Sequence, residues 1–176
     1  RDGSLYNGNP GLMLHALVNM ANHTVEMGIN EMCRFIARDV VLYKSGSSFG
    51  SIFTNKDGVI MNRIVDGILD KHALTPMVKQ LEPISVDNLP TIFINVAESM
   101  FDDCQYNWGR VTSLFAFASA LAGGHKMDDS IVLLTAQLLG DYVAVKFGLW
   151  ISKQGGRDAW ERYSTYSNRK QWKTME

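Results

Sequence analysis

Long hydrophobic runs are missing from this chain. Its apolar uncharged stretches at 111–124 and 130–140 fall short of the ~18 residues expected of a spanning helix. The sequence as given therefore reads as a soluble protein. Cysteine is scarce too: Cys33 and Cys104 are too few for a disulfide framework and lack metal-ligand spacing, so they read as reduced thiols of a cytosolic protein. Charge of one sign is not in excess. With 17 basic and 18 acidic residues the formal net charge is −1, which gives no support to nucleic-acid binding or to a polybasic membrane footprint. No segment alternates apolar and polar residues with period two, no repeat is present, and no glycine loop of phosphate-binding type occurs.

What remains is a chain of 176 residues, 46% hydrophobic and 20% charged, a length and composition that suit one globular domain. Residues 1–10 are turn-rich and expected to be a flexible N-terminus; 11–166 should form a single helical domain; 167–176 is a basic C-terminal segment, a candidate lead-in to a removed membrane tail. The chain starts at Arg1 without a signal-peptide pattern and is expected to be a trimmed version of a longer one.

Helical periodicity recurs along the domain. Leu14, Leu17, Val18, Ala21 and Val25 mark a first helix that Gly28 can stop, and Cys33, Ile36, Val40 and Tyr43 mark a second, starting near Asn30. After a Gly/Ser-rich loop at 45–57, Ile60, Met61, Ile64, Val65, Ile68 and Leu69 give a helix with a broad apolar face. Pro76 and Pro83 flank a short piece. Asn88 is a fair N-cap for a helix through Phe101 with the stripe Phe93, Val96, Ala97 and Met100. Asn107 caps a helix that is apolar on all sides (Val111, Leu114, Phe115, Phe117, Ala118, Leu121), which belongs at the centre of a bundle. Asp128 caps another along Ile131, Leu134, Leu138, Tyr142 and Val145, expected to end at Gly148. Two short helical turns, at Trp150–Ile151 and Ala159–Trp160, should follow on either side of Gly155 and Gly156. The fold class is all-α, a helical bundle around the central apolar helix at about 107–124.

One residue does not fit a plain bundle. Arg110 lies at the head of the most apolar segment, and a buried unpaired charge is costly, so it must face water or an acidic partner. Solvation at a helix end is the plain reading. Against it, a cation near a helix N-terminus opposes the macrodipole and calls for a local anion, and Gly109 clears space beside the backbone.

Asn107-Trp108-Gly109-Arg110, followed by the apolar helix and then by Trp150-Ile151-Ser152-Lys153-Gln154-Gly155-Gly156, resembles the first and second homology motifs of the Bcl family of apoptosis regulators. Met61, Ile64, Val65, Asp66 and Ile68 look like its third, the BH-three motif, and 33–46 is similar to its first helix. The resemblance covers roughly 32–163. It implies a hydrophobic surface groove walled by helices at 59–71, 73–81 and 89–101, floored by the start of the central helix, which captures an amphipathic helix from a partner. By position, the groove residues would be Ile68, His72, Val96, Met100, Asp103, Asn107, Gly109, Arg110, Thr112 and Ser113, with Arg110 meeting a ligand aspartate. Each apolar one also has a plain core reading. Trp108, Trp150, Gly155 and Gly156 would be structural.

The resemblance implies a non-enzymatic protein with no cofactor and no metal. Its partners would be pro-apoptotic proteins carrying an amphipathic BH-three helix, including pore-forming relatives, with membrane contact only through a tail outside this chain. The chain would be cytoplasmic as given, the full-length protein at the mitochondrial outer membrane or endoplasmic reticulum. Two departures matter. Val65 stands where the family carries Gly or Ala, and its extra methyls make the motif helix a poor donor, which favours a pro-survival receiver over a pore-forming effector. Arg157 stands where the family carries Trp, with Trp160 one turn later a candidate to cover the same surface.

Other motifs carry less. Residues 46–50, GSSFG, match a nucleophile-elbow expression that would make Ser48 a hydrolase nucleophile, but the strand that such an elbow requires is not expected. Asn22-His23-Thr24 is a glycosylation sequon within a helical pattern. The pairs Asp102–Asp103 and Asp128–Asp129 are explained by helix ends, and His15, His23, His72 and His125 form no metal spacing.

Overall fold

The computed structural model describes residues 28–46, 56–71 and 74–173. The expectations for the turn-rich start, the helix at 11–27, Ser48 and His72 fall outside them. Among the described residues there are seven helices and no strand: α1 (28–44), α2 (Lys56–Lys71), α3 (Leu74–Gln80), α4 (Leu89–Met100), α5 (Trp108–Gly124), α6 (Asp129–Lys153) and α7 (Gly156–Lys173).

The fold is built around α5. Val111, Leu114, Phe115, Ala116, Phe117, Ala118, Leu121 and Ala122 are all buried, so every side of the helix meets another element. Helices α2, α3, α4 and α6 pack against it, and α7 lies against α2 and α6. An element with no polar face is stable only when surrounded, which places it at the centre. Its start is set locally: Asn107 is extended, and its Oδ1 accepts the backbone N–H of Arg110 at 2.9 Å. Asp128 does the same for α6, accepting from Ser130 and Ile131.

Several sequence expectations are corrected. Asn88 holds the N-cap position of α4 but its side chain does not cap it: its backbone is already helical, and its Oδ1 instead accepts the N–H of Ser85 while Ser85 Oγ accepts the N–H of Asn88, a reciprocal box one turn earlier. Gly28 is the first described residue of α1, and the helix it was expected to stop lies outside the described residues. Gly148 does not end α6, which continues to Lys153: a Cβ there would overlap Oδ1 of Asn30, so this glycine serves a close crossing with α1. The stripe expected for α6 holds in part: Ile131 and Tyr142 are buried and Leu134 and Leu138 are half-buried against the core, but Val145 is 81% exposed, and the packed side extends to Val132, Ala136, Leu139, Val143, Phe147 and Ile151. Tyr43, expected in the stripe of α1, is exposed at that helix's last turn. The two short turns expected around Trp150 and Trp160 are instead the end of α6 and the single 18-residue α7. The break falls at Gly155 and Gly156, whose φ values of 110° and 62° suit glycine.

Candidate binding site

The question raised by Arg110 has a geometric answer. After α4 the chain turns through 101–103, where Asp103 Oδ1 accepts the N–H of Gln105 at 3.0 Å. That turn brings the Asp103 carboxylate to the head of α5. Arg110 Nη1 donates to Asp103 Oδ1 at 2.5 Å and to the carbonyl of Gln105 at 3.1 Å, and Nη2 donates to Asp103 Oδ2 at 2.8 Å. The local anion that the helix dipole called for is therefore this chain's own Asp103. Both side chains are about a third exposed, at 34% for Arg110 and 39% for Asp103. The guanidinium, and secondarily the Gln105 N–H, holds the Asp103 carboxyl down at about 2, and Asp103 in turn raises the pKa of Arg110.

The residues around this pair divide by exposure. Gly109 is exposed; a Cβ there would come 3.3 Å from Oδ1 of Asn107, so the missing side chain leaves room for the cap. Ser113 is half-buried and donates to the carbonyl of Gly109. Thr112, expected on an accessible floor, is 1% exposed; its hydroxyl donates back to the carbonyls of Trp108 and Gly109, with the Tyr163 hydroxyl 3.5 Å away. That residue lies inside the fold. Ile68 of α2 and Val96 and Met100 of α4 are half-buried at the margin of the core, and Asp103 and Asn107 are exposed.

Helix α2 turns its apolar residues inward. Met61, Ile64 and Val65 are buried, and the exposed Asp66 is ion-paired with Lys44 of α1. A Cβ at Gly58 would sit 2.7 Å from Oδ2 of Asp39, so α2 also meets α1 closely at its first turns.

Trp108 anchors an aromatic cluster. It stacks on Tyr163 with centroids 5.6 Å apart and meets Trp150 at 4.9 Å and Trp160 at 5.2 Å; Trp160 also meets Phe115. Trp160 is 1% exposed and Arg157 is exposed, so the buried aromatic of this segment stands at position 160. A Cβ at Gly156 would come 3.1 Å from Cδ1 of Ile29.

Two groups escaped the sequence reading. Glu98 of α4 accepts the Tyr142 hydroxyl at 2.8 Å and both oxygens receive Lys146 Nζ at 3.1 Å, tying α4 to α6. Lys44 was likewise missed. Neither partnership has a local sequence signal, since the residues lie 44, 48 and 22 positions apart.

Comparison with known proteins bears on the same region. The model of the Bcl-2 family of apoptosis regulator proteins matches residues 61–156. The mouse protein "Apoptosis regulator BAX" is 32% identical over 125 residues, 69% of this chain and 62% of the relative, so the match spans less than two thirds of that relative's length. The bovine "Bcl-2-related protein A1" is 27% identical over 118 residues, 61% of this chain and 63% of that protein. Among solved structures, the zebra-fish pro-survival protein NRZ in complex with a Bad BH3 segment superposes with a TM-score of 0.68 at 19% identity, covering 81% of this chain and 97% of that one. Chicken BOK superposes with a TM-score of 0.61 at 19% identity, covering 78% and 97%.

Proposed function

The chain belongs to the Bcl-2 family of apoptosis regulators, and from that premise we propose that it is a pro-survival member that captures BH3 helices in a groove bordered by α2, α3, α4 and the start of α5. The partner helix would lay apolar residues against the half-buried Ile68, Val96 and Met100 and bring an aspartate to Arg110. Each well-buried Leu or Ile anchor supplies ~1.5–3 kcal/mol, and a charge-assisted pair ~1.5–3 kcal/mol, against ~2–5 kcal/mol or more for ordering the ligand. Three or four anchors therefore set the strength, and Arg110 sets register. Holding such helices would restrain permeabilisation of the mitochondrial outer membrane. No catalytic step is part of this reading.

The observation that carries the pro-survival sign is Val65. It is fully buried at the position where the motif carries a small residue, and its neighbour Asp66 is spent on Lys44, so the chain is poorly suited to offer its own motif to another groove. A second reading, a pore-forming effector of the same fold, is favoured by α6. That helix of 25 residues is long and apolar enough to cross a membrane by length and composition, although 61% of its most apolar window is buried in the bundle. Dye release from vesicles separates the two. The pro-survival reading expects no release by this protein with BH3 peptide and suppression of release by an added effector; release by this protein alone with peptide supports the second.

A further inference from the structure

The Arg110 pair has an edge to spare. A guanidinium carries five N–H donors in one plane. Three are engaged: both on Nη1, toward Asp103 Oδ1 and the Gln105 carbonyl, and one on Nη2, toward Asp103 Oδ2. The Nε–H and the second Nη2–H have no partner among the described residues, and these two lie side by side on the adjacent edge of the group. They form a second bidentate fork, of the geometry a carboxylate accepts.

Asp103 is itself held. Its Oδ1 also takes the Gln105 N–H, and it sits directly after α4, the helix that contributes Val96 and Met100. The long arginine side chain is thus immobilised before any ligand arrives, and its rotamer entropy is not lost on binding. A ligand carboxylate that displaced Asp103 would have to break a bidentate charged pair and would leave that carboxylate facing the newcomer beside Asp102.

Resting on the groove reading above, we propose that Asp103 is a positioning residue: it clamps the Arg110 guanidinium end-on, and the ligand's aspartate adds to the free Nε–Nη2 edge instead of replacing Asp103. The ligand is the carboxylate of an amphipathic helix. Specificity for it depends on Asp103 as well as on Arg110, and Asp103 acts only through Arg110.

The test uses the full chain and two BH3 peptides differing only in aspartate against asparagine at the position facing Arg110. Asp103→Asn keeps an oxygen acceptor for the Gln105 N–H and removes the charge. It is expected to weaken the aspartate peptide about five- to tenfold and to leave the asparagine peptide within about twofold. Tighter binding of the aspartate peptide by Asp103→Asn, or an equal loss for both peptides, overturns the proposal. If that variant does not fold, the wild-type protein answers by nitrogen-resolved NMR. The Arg110 Nε–H resonance should move downfield with the aspartate peptide and not with the other; an unchanged Nε–H in a saturated complex overturns this proposal alone. Absence of binding to either peptide by the wild type removes the groove reading and this proposal with it.

Discussion

Lys44, at the end of α1, reaches across to the carboxylate of Asp66 in α2, so the acid of the segment that resembles the third homology motif is engaged within its own chain. The lysine side chain is only 11% exposed and the aspartate 56%. Lys44→Met removes the charge while retaining most of the stem. We expect a stability loss of about 0.5–1 kcal/mol, in the range of partly exposed ion pairs, together with faster amide exchange in α2 than in α5. Unchanged α2 exchange would show that the pair does not hold this helix.

Val65 makes a sharper prediction with two opposite signs. Within the folded protein Val65→Gly empties a fully buried site and adds a helix-interior glycine, and a loss of about 2–4 kcal/mol is expected in denaturant unfolding. In an isolated 57–72 peptide the same change should improve capture by other family grooves, because the obstructing methyls are gone. Tight binding by the unmodified peptide, with no gain on Val65→Gly, contradicts the reading of this chain as a receiver.

Those two residues also illustrate what the sequence reveals. The caps at Asn107 and Asp128 are legible because a capping side chain and the N–H groups it accepts lie within three residues. The central position of α5 is legible because no side of it is polar. What fails is anything decided by a distant neighbour. Gly148 looks like a helix stop until Asn30 is seen against it, and Val145 continues the apolar period of the buried Ile131 and Tyr142 yet is exposed because no neighbouring element covers it. Thr112 has the position of a groove floor, yet Tyr163 lies beside it, 51 residues further on. Arg110 was legible as a cation in need of an anion, and the identity of that anion in the free protein, Asp103, was not.

The two thiols should differ in reactivity. Cys33 is fully buried, and burial pushes its thiol up to about 12, whereas Cys104 is exposed. Since the thiolate is the nucleophile, iodoacetamide at neutral pH should add once, at Cys104, and native Cys104→Ser should remain unlabelled until unfolded. Labelling of Cys33 in the native state at the rate of a free thiol would contradict its burial.

The link between α4 and α6 should respond to acid. The Tyr142 hydroxyl first, then Lys146, holds the Glu98 carboxyl below its ordinary 4.5. A lowered carboxylate contributes stability above its unfolded value, lost as pH falls through the folded one. The protein should therefore keep this contribution at pH 5 and above and lose it below about 4.5. Tyr142→Phe removes the largest cause, so the Glu98 titration followed by NMR should move up toward 4.5. At the other extreme, burial and then Glu98 raise the Tyr142 phenol, so its contribution is complete below 10 and lost as pH rises beyond it. A Glu98 titration unmoved by Tyr142→Phe would contradict the network.

The central claim, that Arg110 receives the aspartate of a captured helix, is tested most directly by calorimetric titration of the wild-type protein and of Arg110→Ala with one aspartate-bearing BH3 peptide. The account predicts saturable one-to-one binding by the wild type and an affinity about 10- to 100-fold weaker in the variant. Equal affinities, or no binding by a folded wild-type protein, would contradict it.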